Sequence, residues 1–191
     1  MIAKHFTYYA LVVAVVLGVS TQVLAEGGPD IEAGIAAYDS GDYETALNNL
    51  VPLAIKGNAE AQFRMAVMHV KGHGVSKNAC FAIVWADKAA RKNHPDAAYF
   101  MSFMYFGGAP IKPDLDMAYR WAAHSAKFGH HDGAEQREVI AVALTPERRS
   151  ALDEEMKTWD ATKQPAVEIF PFAALKQPYD LIYEKMILWG C

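Results

Sequence analysis

From residue 59 to residue 126 the apolar positions fall at three- and four-residue intervals, the period of a helix with one buried face. The pattern stops and restarts at defined places. AEAQFRMAVMHVK, residues 59–71, reads as a helix that stops at Gly72, with Gly74 helping to form the turn. Asn78 is placed to cap a second helix over about 79–92, with apolar positions at Phe81, Val84, Trp85 and Ala89. A third helix covers about 96–106 and is ended by Gly107 and Gly108. Pro110 and Pro113 stiffen the turn that follows, and Asp114 caps a fourth helix.

These helices are copies of one another. GHGVSKNACFAIVWADKAA, residues 72–90, aligns without a gap on GAPIKPDLDMAYRWAAHSA, residues 108–126, at an offset of 36. Gly72 falls on Gly108, Val75 on Ile111, Ala82 on Ala118, Trp85 on Trp121 and Ala90 on Ala126. The same register joins Ala46, Ala82 and Ala118; Gly57, Asn93 and Gly129; and Ala61, Ala97 and Gly133. The units are 35–57 (incomplete), 58–93, 94–129 and 130–160, each of two helices, A then B. Small residues dominate the facing positions: Ala61, Ala66, Ala82, Ala86, Ala89, Ala98, Ser102, Ala118 and Ala122. They let paired helices approach closely, while Trp85 and Trp121 fill the space between units. One hairpin cannot bury its own apolar face, so stacking is obligatory.

The pattern resembles the Sel1-like repeat family, relatives of the tetratricopeptide repeats. The resemblance rests on Met65-Ala66, the aromatic Tyr105, the Gly72-x-Gly74-Val75 turn, the caps Asn78 and Asp114, and Ala82…Trp85…Ala89-Ala90. It covers about 35–160; the second unit matches best and the first least. This chain departs from the family pattern at His69, where an aromatic is expected, and at Pro110, where a glycine is expected. The resemblance implies an all-α, right-handed solenoid whose A helices line a concave groove. TPERRSALDEEMKTW, residues 145–159, looks like the closing helix common in that family. Thr145 suits its N-cap, Pro146 its first position, and Leu152, Met156 and Trp159 its apolar stripe.

Both ends lie outside the repeat. Residues 1–25 read as a secretory signal: one lysine, the apolar run ALVVAVVLGV at 10–19, and a small-residue cleavage site at Val23-Leu24-Ala25. The run is shorter than the roughly 20 apolar residues of a membrane span. Residues 161–191 are broken by Pro165, Pro171 and Pro178 and end in PYDLIYEKMILWGC. There Tyr179, Ile182/Tyr183, Met186 and Trp189 recur at helical spacing. This extension is expected to fold back on the solenoid; a partner-docking tail is the alternative.

Composition narrows the function. The chain has 191 residues and a formal net charge of −4, with no basic stripe for nucleic acid and no polybasic segment for an acidic membrane. Export implies an oxidising compartment, periplasmic or extracellular. Two cysteines remain, Cys80 and Cys191. Their spacing decides nothing: they form a disulfide, or Cys80 packs in a helix and Cys191 is a terminal thiol.

No catalytic motif is present: no Gly-x-Ser-x-Gly, Ser-x-x-Lys, phosphate loop, dinucleotide fingerprint or His-Glu-x-x-His. His69 and His73 have the four-residue spacing of metal ligands, but Gly72 ends the helix between them and His69 holds a core position. His130-His131 reads as a solvated turn, and Asp153/Glu154/Glu155 as solvated charge on the closing helix. His94-Pro95-Asp96 matches the tripeptide of J-domain cochaperones, but the repeat accounts for it as an inter-unit turn. No cofactor or metal is expected.

What remains is a surface. The outward positions of helix A align as Arg64/Phe100/Gln136, Val67/Phe103/Val139 and Val70/Phe106/Val142. With Phe100, Phe103 and Phe106 beside Tyr99 and Tyr105, the third unit is rich in aromatics. They bury the tail or the next helix, or they form a patch for a peptide or partner helix. The expected function is a non-enzymatic scaffold that binds a protein partner through Arg64, Phe100, Phe103 and Phe106, or through Tyr179, Tyr183 and Trp189 of the tail. The resemblance also admits a β-lactamase-like hydrolase, although those relatives carry paired cysteines within each repeat and this chain does not. A third reading is an envelope protein resting weakly on a membrane through its terminal helix.

Overall fold

The structure, a computed structural model, describes residues 28–107 and 110–167. The expected signal at 1–25, Gly108, and the tail beyond Val167 with Tyr179, Tyr183, Trp189 and Cys191 lie outside the described residues. Among the described residues there are eight α-helices and no strand. They form four successive hairpins: α1 (Ile31–Ser40) with α2 (Tyr43–Lys56), α3 (Ala59–Lys71) with α4 (Ala79–Ala90), α5 (Pro95–Gly107) with α6 (Leu115–Lys127), and α7 (Gly133–Ala141) with α8 (Pro146–Met156). A 3-10 turn follows at Ala161–Lys163. Each helix packs on the next in chain order from α1 to α7, and α8 packs back on α6, so the hairpins stack into an α-solenoid. Among the described residues no helix is long and apolar enough to cross a membrane.

Local chemistry sets the boundaries. The side chains of Asp42, Asn58, Asn78, Asp114 and Thr145 each accept a hydrogen bond from the backbone N–H three residues on, which satisfies an otherwise orphan donor. Between units the chain must turn through a left-handed conformation. Gly57 (φ 95°), Asn93 (φ 66°) and Gly129 (φ 100°) do so at equivalent positions, and asparagine tolerates that region better than other residues with a side chain. The first unit is longer than the repeat pattern showed. It starts at Ile31, where Asp30 caps α1 by accepting from Glu32 and Ala33 N–H. Its residues depart from the repeat pattern, but Gly34 against Leu50 serves the same close packing.

All nine small facing residues predicted from the repeat are buried, each at most 1% exposed. Trp85 and Trp121 are buried with them at 3% and 1%. One apolar cluster runs through the first three hairpins and includes Trp121. A second joins Ala118, Tyr119 and Ala122 of α6 to Ile140, Ala141 and Leu152. Helix α6 therefore belongs to both cores, with Trp121 in one and Tyr119 in the other.

Helix α8 closes the stack through Leu152 and through charge. The Tyr119 hydroxyl donates to Asp153 (2.7 Å), and Arg148 donates to Asp116 (Nε, 2.9 Å) and to Glu155 (3.0 Å). Arg120 also pairs with Glu155. The acids 153 and 155 are thus more than solvated charge. They tie α8 to α6, because residues about 34 apart share a face once the hairpins stack.

Backbones approach closely where α7 crosses α6. A Cβ on Gly133 would lie 2.5 Å from Ala126 N and 2.5 Å from Ser125 Oγ. A Cβ on Gly34 would lie 2.9 Å from Leu50 Cδ2 and 3.0 Å from Asn49 Cβ, side-chain atoms rather than backbone. Gly133→Ala is therefore expected to cost about 1–3 kcal/mol and Gly34→Ala less. Urea unfolding of the two variants checks this; equal losses would show that the α6–α7 junction is slack.

Candidate partner-binding face

The A helices α1, α3, α5 and α7 form one row; α1 touches α3 and α5 touches α7. Large apolar residues stand exposed along this row: Val70 on α3, Phe103 and Phe106 on α5, Val139 on α7 and Val142 just past its end. These are members of the second and third rows aligned in the sequence. The first row does not join them. Phe100 is half-buried and packs on the core, and Gln136 is only 7% exposed. Arg64 is held by Glu60 at 2.6 Å and lies over the Tyr38 ring at 5.9 Å. Geometry explains the split. A step of three residues rotates a helix position by about 60° short of a full turn, so positions 100 and 106 lie about 120° apart. Phe100 and Phe106 cannot both face solvent squarely. Between α3 and α5 opens a cavity of about 350 Å³, lined by Val70, Ala79, Ala82, Phe100 and Met104 with Lys77 and Asn78 as polar neighbours.

The histidines of the inter-unit turns are structural clasps. His94 Nε2 lies 2.8 Å from Glu60 Oε2, and its ring sits 4.6 Å from that of Phe63. Thirty-six residues on, His130 Nε2 lies 3.6 Å from Asp96 and its ring stacks on Tyr99 at 3.9 Å. Each clasp joins a turn histidine to a carboxylate and an aromatic in the first two turns of the preceding A helix. The solvated-turn reading therefore holds only for His131, which is 83% exposed; the His130 side chain is 8% exposed. The sequence signal was available, since 60/96, 63/99 and 94/130 are all in repeat register, but it becomes meaningful only when the units stack. The hydrogen bond to His94 pulls the Glu60 carboxyl down to about 2 against the opposing effect of burial, with Arg64 assisting.

Ligand atoms of His130, His131 and Asp132 lie within 4.8 Å of one another, a spacing a metal ion could bridge. His130 is already engaged on both nitrogens: Nδ1 accepts from Asp132 N–H at 3.2 Å and Nε2 faces Asp96. The arrangement duplicates the His94 clasp and needs no ion to account for it. His69 and His73 do not converge. His69 is buried against Phe81 at 5.0 Å, whereas His73, beyond the end of α3 at Gly72, stacks on Tyr43 at 4.6 Å with Nδ1 3.2 Å from the Tyr38 hydroxyl.

Two buried ionisable groups were not foreseen. His124 lies edge-on to Trp121 and Trp159 and bonds to the Ala90 carbonyl; burial lowers its pKa to about 4, with Lys127 adding to the effect. Asp87 is 4% exposed, and burial raises its pKa although Arg91 pairs with it at 2.7 Å. It also accepts from the backbone of Val167, which belongs to the tail.

The Sel1 repeat family model matches residues 59–94 and 95–127. No curated protein matches the chain. Among solved structures, a protective antigen of uropathogenic Escherichia coli strains displaying an SLR fold superposes with a TM-score of 0.58 at 21% identity, over 76% of this chain and 33% of that one. A Sel1 repeat protein from Oxalobacter formigenes gives 0.56 at 27%, over 60% of this chain and 47% of that one. The chain thus spans about a third of the first neighbour and about half of the second.

The pH dependence of stability follows from His124. Its folded pKa lies below the ordinary 6.5, so its neutral form favours the fold above that value. This contribution is lost as the pH falls from 6.5 toward about 4. The melting temperature is expected to drop across that window, and His124→Phe to flatten the drop. An unchanged slope in the variant would place the acid sensitivity elsewhere.

Proposed function

We propose that this chain, which carries two Sel1 repeats within a solenoid of four helical hairpins, is a non-enzymatic scaffold of the cell envelope that holds a protein partner on its A-helix face. Sel1 repeat proteins generally serve as protein-interaction scaffolds. The single observation that carries the reading for this chain is the exposed row of Val70, Phe103, Phe106 and Val139 on helices from three successive hairpins. Exposed apolar side chains lined up across units suit an amphipathic helix or an extended peptide with regularly spaced apolar anchors. Phe103 and Phe106, at 41% and 37% exposure, are the natural anchors; Phe100 is part of the floor.

Export is part of the proposal. It rests on the signal-like segment ending near Ala25 and is supported by Cys80, which is disulfide-bonded, a state typical of oxidising compartments.

The test is cross-linking in the native envelope with the tagged protein as bait. Phe103→Asp with Phe106→Asp should abolish capture of a discrete partner while helicity is kept and the melting temperature moves little, because neither side chain belongs to the buried core. Undiminished capture by the double variant would remove the A-helix face from the reading. A collapsed melting temperature would assign the two phenylalanines to the core.

A further inference from the structure

We propose that the turn between α6 and α7 binds a divalent transition-metal ion through His130, His131 and Asp132. This stands apart from the partner reading and would hold if the A-helix face bound nothing.

The repeat isolates the feature. His94-Pro95-Asp96 and His130-His131-Asp132 occupy the same register, 36 residues apart. In both turns the first histidine clasps the preceding A helix. The clasp accounts for His130 but for neither of the two residues after it. In the first turn position 95 is a proline that opens α5, and Asp96 lies in the first turn of that helix. In the second turn the position holds His131, whose side chain is 83% exposed, and α7 starts only at Gly133. A helix-starting residue is thus replaced by a second imidazole beside a carboxylate.

Asp132 supplies an independent observation. It stands at the N-cap of α7, but its side chain makes no cap hydrogen bond. Asp30, Asp42, Asn58, Asn78 and Asp114, at the same position on their own helices, all accept one from the backbone. The Asp132 carboxylate turns instead to His131 Nε2, 3.0 Å away. Among the described residues, Asp96 and Asp132 pair with the two histidines and with no arginine or lysine. The turn therefore carries negative charge that a bound cation would neutralise.

The geometry suits such an ion. One ligand atom from each of the three residues lies within 4.8 Å of the other two. Two ligands at about 2.1 Å from one ion are at most about 4.2 Å apart, so a small rotation of the exposed His131 ring completes the set. His130 Nδ1 accepts from Asp132 N–H at 3.2 Å, which leaves the ring proton on Nε2, 3.6 Å from Asp96. A ligating histidine needs this tautomer: a lone pair on the side of Asp132, and an N–H toward a carboxylate that orients the ring. The ion would take the place of that hydrogen bond, which is at the long end of the normal range. Two imidazoles and one carboxylate favour Zn²⁺, Cu²⁺ or Ni²⁺ over Mg²⁺ or Ca²⁺. Three protein ligands leave a further coordination position for water.

Calorimetric titration of the untagged full-length protein with Zn²⁺ tests this, with Mg²⁺ as the contrast. One equivalent of Zn²⁺ should bind, and Mg²⁺ should not. Asp96→Asn should weaken Zn²⁺ binding about tenfold, because Asp96 only orients the His130 ring. His131→Ala and Asp132→Asn should each weaken it more. Both should leave the melting temperature of the metal-free protein nearly unmoved, since one side chain stands in water and the other makes no cap bond. No Zn²⁺ binding, equal binding of Mg²⁺, or Zn²⁺ binding that survives either His131→Ala or Asp132→Asn would overturn the proposal. Partner capture is not read in this experiment, so its outcome and that of the cross-linking test are separable.

Discussion

Everything in this molecule depends on how closely each hairpin can approach the one before it. Ala61, Ala97 and Gly133 occupy the same position in the first turn of three successive A helices, and the two alanines are wholly buried. At the last of the three even a methyl group would collide with the backbone of α6. Backbones held this near leave room for large side chains only at chosen places, and Trp85, Trp121 and Tyr119 take them. Small residues set the spacing, and a few large ones fill what the spacing leaves. A stack built this way is a sum of neighbour contacts, so it needs a terminus that neither sticks nor frays. Helix α8 provides it with one buried leucine and a set of ion pairs to α6.

Polar side chains use the same register for another purpose. Packing alone lets neighbouring hairpins slide or rotate slightly, because apolar contact is non-directional. Hydrogen bonds and stacked rings are directional, and the Glu60–His94–Phe63 and Asp96–His130–Tyr99 clasps recur at the repeat period. They fix each turn on the preceding A helix. The most conspicuous histidines of the sequence therefore belong to the frame.

With its caps and clasps engaged within the stack, the frame leaves its outer surfaces for function. On the A-helix row the exposed valines and phenylalanines contribute little to the fold and are available for contact. On α4 the situation differs: Arg91 and the buried Asp87 direct their hydrogen-bonding capacity to backbone groups of residues 164–167. The solenoid thus has one face that receives its own chain and another that is open, and the cavity between α3 and α5 lies where α4 meets the row of A helices.

The sequence by itself determined the helices of the second and third units and the closing helix, three of their caps, the 36-residue period and the small buried positions, because each rests on patterns of neighbours close in the chain. Asn78, Asp114 and Thr145 cap where the pattern placed them, and the nine small residues are all buried. Tertiary structure alone decided how far each helix is rotated about its own axis. That rotation put Phe100 in the floor and Phe103 in solvent, although both stood in the aligned outward set. It also brought Glu60 to His94 and Asp153 to Tyr119, each across 34 residues. Period fixes which residues share a face; only the packing of one helix against its neighbours fixes where that face points.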